Sequence, residues 1–189
     1  MSDVMAPLDG ARFDGLVTVE ALPAQGQITL RCEVSDDYRA KLSGLLGLAF
    51  PEPRKAVSDG DRALLWMSPD ELLLLLPYDE VPEMLARLEE TFPNWILLAV
   101  DVSDARAHFR LSGAPLRDVL SKLVPADMAP GAFVPGDVKR SKLAQVAAGI
   151  WLRGPEEAQL FCFRSVADYA FRVLATAAEP GGEVGFHGT

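Results

Sequence analysis

DARAHFRLSGAPLRDVLSKLV (Asp104–Val124), LAQVAAGIWLRG (Leu143–Gly154), AQLFCFR (Ala158–Arg164) and VADYAFRVLATAA (Val166–Ala178) read in order as strand and helix, strand, strand, helix. In the first segment Ala107, Phe109 and Leu111 alternate with Arg106, His108 and Arg110, the period of a half-buried strand. Gly113 ends it. Leu116, Val119, Leu120 and Leu123 then recur at helical spacing. PADMAPGAFVPGD (Pro125–Asp137) is a crossover rich in Pro and Gly, and GPEE (Gly154–Glu157) turns between the two later strands. Ser165 is placed to cap the closing helix, with Val166, Tyr169, Ala170 and Val173 as its inner face.

The same order occurs upstream. QITLRCEV (Gln27–Val34) alternates, with Ile28, Leu30 and Cys32 on one face. Ser35 or Asp36 can cap a helix running to about Leu46, striped by Tyr38, Leu42, Leu45 and Leu46. PEPRKAVSDGD (Pro51–Asp61) reads as a loop, and RALLWM (Arg62–Met67) as a strand. Ser68-Pro69-Asp70 is a tight turn. ELLLLLP (Glu71–Pro77) is too continuous in Leu to alternate, so its strand should be buried on both faces. A helix from about Glu80 to Phe92 carries Val81, Met84, Leu85 and Leu88 on one side.

The doubled βαββα pattern predicts an α/β (α+β) fold. Two similar halves, 27–92 and 105–178, form one pseudo-symmetric domain over residues 23–178. Residues 1–22 lack sustained periodicity and read as an extended lead-in. Asn94–Asp101 is a connector with some strand character, and 179–189 is a Gly-rich flexible tail. Trp66 and Trp151 fall late in corresponding strands, which would put both on the plane where the halves meet.

Composition narrows the function. The 189 residues carry a formal charge of −9, which disfavours nucleic acid and anionic lipid as partners. The longest apolar run, Leu72–Leu76, is far short of a membrane span. The N-terminus has neither the basic nor the apolar region of a secretory signal. Cys32 and Cys162, the two cysteines, sit in strands, which suits buried free thiols in a cytoplasmic protein. Pairing of the two across the halves is the minor alternative. With two isolated Cys and two isolated His, no metal-ligand spacing exists. There is no G-x-S-x-G, and Gly44 and Gly47 lie near a helix end, where the amides point away from a phosphate. No catalytic, cofactor-binding or metal-ligating residue is assigned.

The candidate contact residues are basic. Arg106, His108 and Arg110 share a strand face that could hold a carboxylate or an acidic partner surface; the plainer reading is a solvated sheet face. Lys139 and Arg140 belong to a short basic run before the fifth strand, either an anion or partner contact or a solvated strand entry. Asp101 and Asp104 could do acid–base work only in a shared dry cleft; a connector pair is more ordinarily a cap. His187 falls in the tail, where an isolated His rarely serves chemistry.

DVSDARAHFRLSG, PLRDVLSKLVPADM, VPGDVKRSKLAQVAAGIWLRG and FCFRSVADYAFRVLATAA, with GDRALLWMSPDELLLLLP upstream, resemble in their order the gamma subunit of heterotetrameric sarcosine oxidase. The resemblance covers roughly Gln27–Ala178. One departure is Arg140-Ser141, where that family commonly has Arg-Thr; the hydroxyl is kept. The resemblance implies a fold like the folate-binding domain of the glycine-cleavage aminomethyltransferase. It also implies a complex with alpha, beta and delta subunits that demethylates sarcosine oxidatively to glycine, forms hydrogen peroxide and passes the one-carbon unit to tetrahydrofolate. Flavin, NAD and tetrahydrofolate are then expected on the partner subunits and no cofactor on this chain, which would belong to an oxidoreductase without being catalytic alone. The alternative is a free-standing folate-binding one-carbon protein. Weak homo-oligomerisation of the isolated chain is also expected, because a complex subunit exposes apolar surface when alone.

Overall fold

A computed structural model describes residues 6–8 and 10–186. Along the chain, β1 (Arg12–Asp14) and β2 (Thr18–Ala21) come first. They are followed by β3 (Gly26–Arg31), α1 (Asp36–Leu46), β4 (Ala56–Asp59), β5 (Arg62–Ser68), β6 (Glu71–Leu76), α2 (Val81–Thr91) and β7 (Leu98–Asp101). The second run is β8 (Arg106–Ser112), α3 (Leu116–Ser121), β9 (Val138–Leu143), β10 (Val146–Gly154), β11 (Glu157–Phe163) and α4 (Ala167–Ala177). The chain divides into one unit of Gln25–Ser103 and another of Met1–Ala24 with Asp104–Thr189.

The Gln25–Ser103 unit is an antiparallel sheet in the order β4-β5-β6-β3-β7. Ser35 starts α1 by accepting a hydrogen bond from the Tyr38 amide at 3.2 Å, and Gly47 ends it in the left-handed conformation that its missing Cβ permits. One sheet face packs Ile28, Leu30, Leu64, Leu72 and Leu74 against Tyr38 and Leu42 of α1 and Met84 and Leu88 of α2. On the other face Leu65, Leu73 and Leu75 are equally buried. The expectation of a two-sided Leu strand therefore holds: all five residues of Leu72–Leu76 are buried. Each contributes on the order of 1.5–3 kcal/mol by leaving water.

The second unit is an antiparallel sheet in the order β1-β2-β8-β11-β10-β9. Its helix-side core joins Phe109 and Leu111 of β8, Ile150 and Leu152 of β10, and Leu160 of β11 to Val119, Leu120, Ala170 and Leu174. The β1–β2 hairpin is tied to the end of α4, because the Leu16 amide donates to the Ala178 carbonyl at 2.7 Å. Gly15 makes this possible: a Cβ there would lie 2.1 Å from the same carbonyl oxygen.

The repeat is longer than the sequence pattern suggests. Each run is βαβββα, because β4 lies inside the expected loop 51–61 and β9 takes in the basic run that was expected to precede a strand. Both are polar edge strands, too short or too charged to show alternation. Residues 12–21 are not a plain lead-in. Val19 and Ala21 alternate with Thr18 and Glu20 in β2 and are buried, as is Val17 just before it. The topology also exchanges the leading strands. β2 precedes the first run but pairs with β8 of the second; β7 precedes the second run but pairs with β3 of the first.

Two further differences concern side chains. Trp66 packs with the helix-side core of its unit, whereas Trp151 lies on the sheet face opposite the helices of its own, so the two are not equivalent. Tyr169 is exposed, and α4 instead buries Ala167, Ala170, Leu174 and Ala177; a turn of 3₁₀ helix over Arg164–Val166 precedes α4, and Ser165 does not cap it. His187 lies outside the described residues.

Candidate functional site

The period of two in β8 places Arg106, His108 and Arg110 on the sheet face away from the helices, as read from the sequence. Register extends that face across the neighbouring strands. His108 lies opposite Phe161, which lies opposite Gly149, which lies opposite Arg140. Beside this row, Glu20, Arg110, Gln159 and Trp151 run across the same sheet.

The centre of this face is dry. His108, Gln159, Phe161 and Trp151 are all buried. The His108 ring stacks on Phe161 with centroids 5.4 Å apart and planes at 26°. Phe161 in turn covers Gly149, where a Cβ would come within 2.1 Å of the ring. Gln159 Nε2 lies 2.9 Å from His108 Nδ1. His108 Nε2 has no hydrogen-bond partner among the described residues. Burial first, and the nearby Arg106 charge second, push the His108 pKa down from 6.5 to about 3. The ring is therefore neutral across the neutral pH range and unsuited to taking up a proton there.

The flanking cations are spoken for. The Arg106 guanidinium lies 5.9 Å from the Phe161 ring centre. Arg110 forms a pair with Glu20, donating from Nε at 3.2 Å and Nη2 at 2.5 Å. Lys139 and Arg140 point to opposite faces. Lys139 Nζ donates to the Asp127 carbonyl at 2.8 Å and sits 5.2 Å from the Phe133 ring, in the helix-side core, while Arg140 is exposed on the His108 side. The structure thus brings Arg106, His108, Arg110 and Arg140 to one face and leaves Lys139 out of it.

Other reactive groups are quiet. Asp101 Oδ1 accepts from the Ser103 amide at 2.9 Å and its hydroxyl at 2.5 Å, the geometry of a cap, while the Asp104 side chain is exposed. Ser103 Oγ also accepts from the buried Gln27 amide at 2.9 Å. Cys32 and Cys162 are free and buried, and burial pushes the Cys162 thiol up to about 11. Among the described residues no group of three or more His, Cys, Asp or Glu side chains could hold a metal ion. No described helix is long and apolar enough to cross a membrane.

Sequence reasoning missed two features. Gln159 is the polar residue within the apolar run Ala158–Phe163, and that contrast was its signal. The connector, read as having some strand character, becomes β7 from Leu98 to Asp101; what went unread is that Ile96, Leu98 and Val100 stay exposed at 97%, 53% and 40%. Three apolar residues at alternate positions are a strand signal, and their exposure is a property of the sheet edge.

The two antiparallel α/β units superimpose on the glycine cleavage system aminomethyltransferase T from Bartonella henselae with a TM-score of 0.63 at 11% identity, covering 92% of this chain and 48% of that one. The fold is thus of the aminomethyltransferase type. A chain of the heterotetrameric sarcosine oxidase from Corynebacterium sp. U-96 superimposes with a TM-score of 0.80 at 24% identity, covering 88% of this chain and 87% of that one. In sequence, the sarcosine oxidase subunit gamma of Corynebacterium sp. (strain U-96) is 27% identical over 177 residues, 91% of this chain and 85% of that protein. The model of the sarcosine oxidase, gamma subunit family matches residues 31–179, and the chain belongs to that family.

Proposed function

We infer that the chain serves as the gamma subunit of a heterotetrameric sarcosine oxidase and acts in assembly rather than in chemistry. The family match over residues 31–179 carries this reading. The state of the reactive groups supports it: His108 is held neutral, Cys162 is held as a thiol, and Asp101 caps a turn. In this role the alpha, beta and delta subunits hold flavin, NAD and tetrahydrofolate. They demethylate sarcosine to glycine, form hydrogen peroxide and transfer the one-carbon unit, while this chain holds partner surfaces in place.

The test is affinity purification of the tagged chain, expressed from its own locus in its native cell. Recovery of larger, flavin-absorbing subunits is expected; recovery of the chain alone overturns the assignment. Isothermal titration of the isolated chain with tetrahydrofolate separates this role from a folate-binding protein acting alone. No heat is expected, and saturable heat would favour the latter.

A further inference from the structure

The two sheets have four edge strands, and three of them are guarded. β1 is three residues long, with Arg12 bound to Asp14 across its exposed side. β4 ends in exposed Ser58 and Asp59. β9 carries Lys139, Arg140 and Lys142. Short length and charge of this kind keep an edge from pairing with other chains.

β7 is as short as β4 and ends in exposed Asp101, but its apolar run carries no guard. Between Ile96 and Val100 there is no charge and no proline. Leu97 and Ala99 turn toward the helix-side core, while Ile96, Leu98 and Val100 point away from it into solvent. The backbone is open as well. The Val102 amide donates to the Gln27 carbonyl at 2.8 Å, which sets the parity of the β3–β7 ladder. Leu98 and Val100 therefore bond to β3, and Ala99 and Asp101 turn their N–H and C=O groups to the open side.

Charge says what kind of strand fits. Residues 25–103 hold 14 acidic side chains against 7 basic ones, so most of the chain's net charge of −9 lies in this unit. Glu89 and Glu90 are exposed near the end of α2, the helix packed on β7, and exposed Asp101 closes the strand. An apolar strand with basic flanks would meet this edge with complementary charge.

The geometry points to β7 as the edge to which another subunit of the complex adds an extended apolar strand flanked by Lys or Arg, continuing the β4-β5-β6-β3-β7 sheet; this rests on the assembly reading above. The added strand takes the open backbone groups of Ala99 and Asp101, and its side chains cover Ile96, Leu98 and Val100. One strand is less than the roughly 1,200–2,000 Å² of a stable interface, so it anchors a wider contact.

The test purifies the tagged chain with its partners from the native cell, comparing wild type with three variants. Leu98→Lys places a charge on the exposed stripe, and Ala99→Pro deletes an outward N–H without touching the β3 ladder. Ser58→Lys on the β4 edge is the control. Partner recovery should fall by at least about tenfold for Leu98→Lys and for Ala99→Pro, and stay at the wild-type level for Ser58→Lys. The melting temperature of Leu98→Lys should remain wild-type, which separates lost docking from lost folding. Full partner recovery by Leu98→Lys overturns the inference while leaving the subunit assignment intact; absence of partners from the wild type overturns the assignment itself. Sedimentation of the isolated chain gives the other occupant: a dimer abolished by Leu98→Lys, with partner recovery unchanged, would assign the edge to a second copy and overturn the inference.

Discussion

His108 couples stability to pH through a ring that the fold keeps neutral. It stacks on Phe161 at 5.4 Å, meets Gln159 at 2.9 Å through Nδ1, and leaves Nε2 without a partner among the described residues. Protonation would place a second N–H and a charge in a dry site beside Arg106. The native pKa is about 3 against the ordinary 6.5. This base is thus weaker folded than unfolded, so its contribution is present above 6.5 and is lost as pH falls toward about 3. Between roughly pH 7.5 and pH 5 the unfolded chain gains a proton that the native chain refuses, and linkage gives a loss of about 2 kcal/mol. The perturbation is His108→Gln, which keeps an amide partner for Gln159 and removes the titration. Urea unfolding of both proteins across this range is the assay. The stability of the wild type relative to the variant should fall by about 2 kcal/mol on going to pH 5. Parallel curves would refute the reasoning, because they would mean that the ring protonates in the native state as readily as in the unfolded one.

Three other outcomes follow from local geometry. Ser103→Ala leaves the buried Gln27 amide without its 2.9 Å acceptor, and urea unfolding should show a loss of about 1–3 kcal/mol. Gly149→Ala drives a methyl into the Phe161 ring and should cost about 1–3 kcal/mol, recovered in part by adding Phe161→Leu; a neutral single variant would contradict the packing described here. Cys162, buried and held at about 11, should resist a thiol reagent at mildly alkaline pH in the native chain and react at once in urea.

The fold was legible where burial imposes a period. β8 and the helices α1 and α2 stand out because alternation or a helical stripe marks which side meets the core. The continuous Leu run of β6 likewise announced burial on both faces. β4 and β9 were hidden because edge strands are polar on purpose, so their composition mimics a loop. The exchange of β2 and β7 was hidden for a different reason. Pairing between strands about ninety residues apart, such as Glu20 with Arg110, leaves no local trace.

At the candidate face, alternation alone brought Arg106, His108 and Arg110 together. It could not tell a wet face from a dry one, because the residues beside His108, Phe161 and Gln159, come from a strand some fifty residues away in the chain. Lys139 and Arg140 read as one basic run, yet a strand sends neighbouring side chains to opposite faces, and β9 does so.

Native mass spectrometry of the tagged chain, purified from its own cell at low ionic strength, tests the assembly role most directly. One copy of this 20.5 kDa chain is expected in an assembly with three different larger or smaller chains. When the assembly is dissociated, flavin should leave with other chains and none with this one. A chain that flies alone, pairs only with itself or carries the flavin would contradict the assembly role.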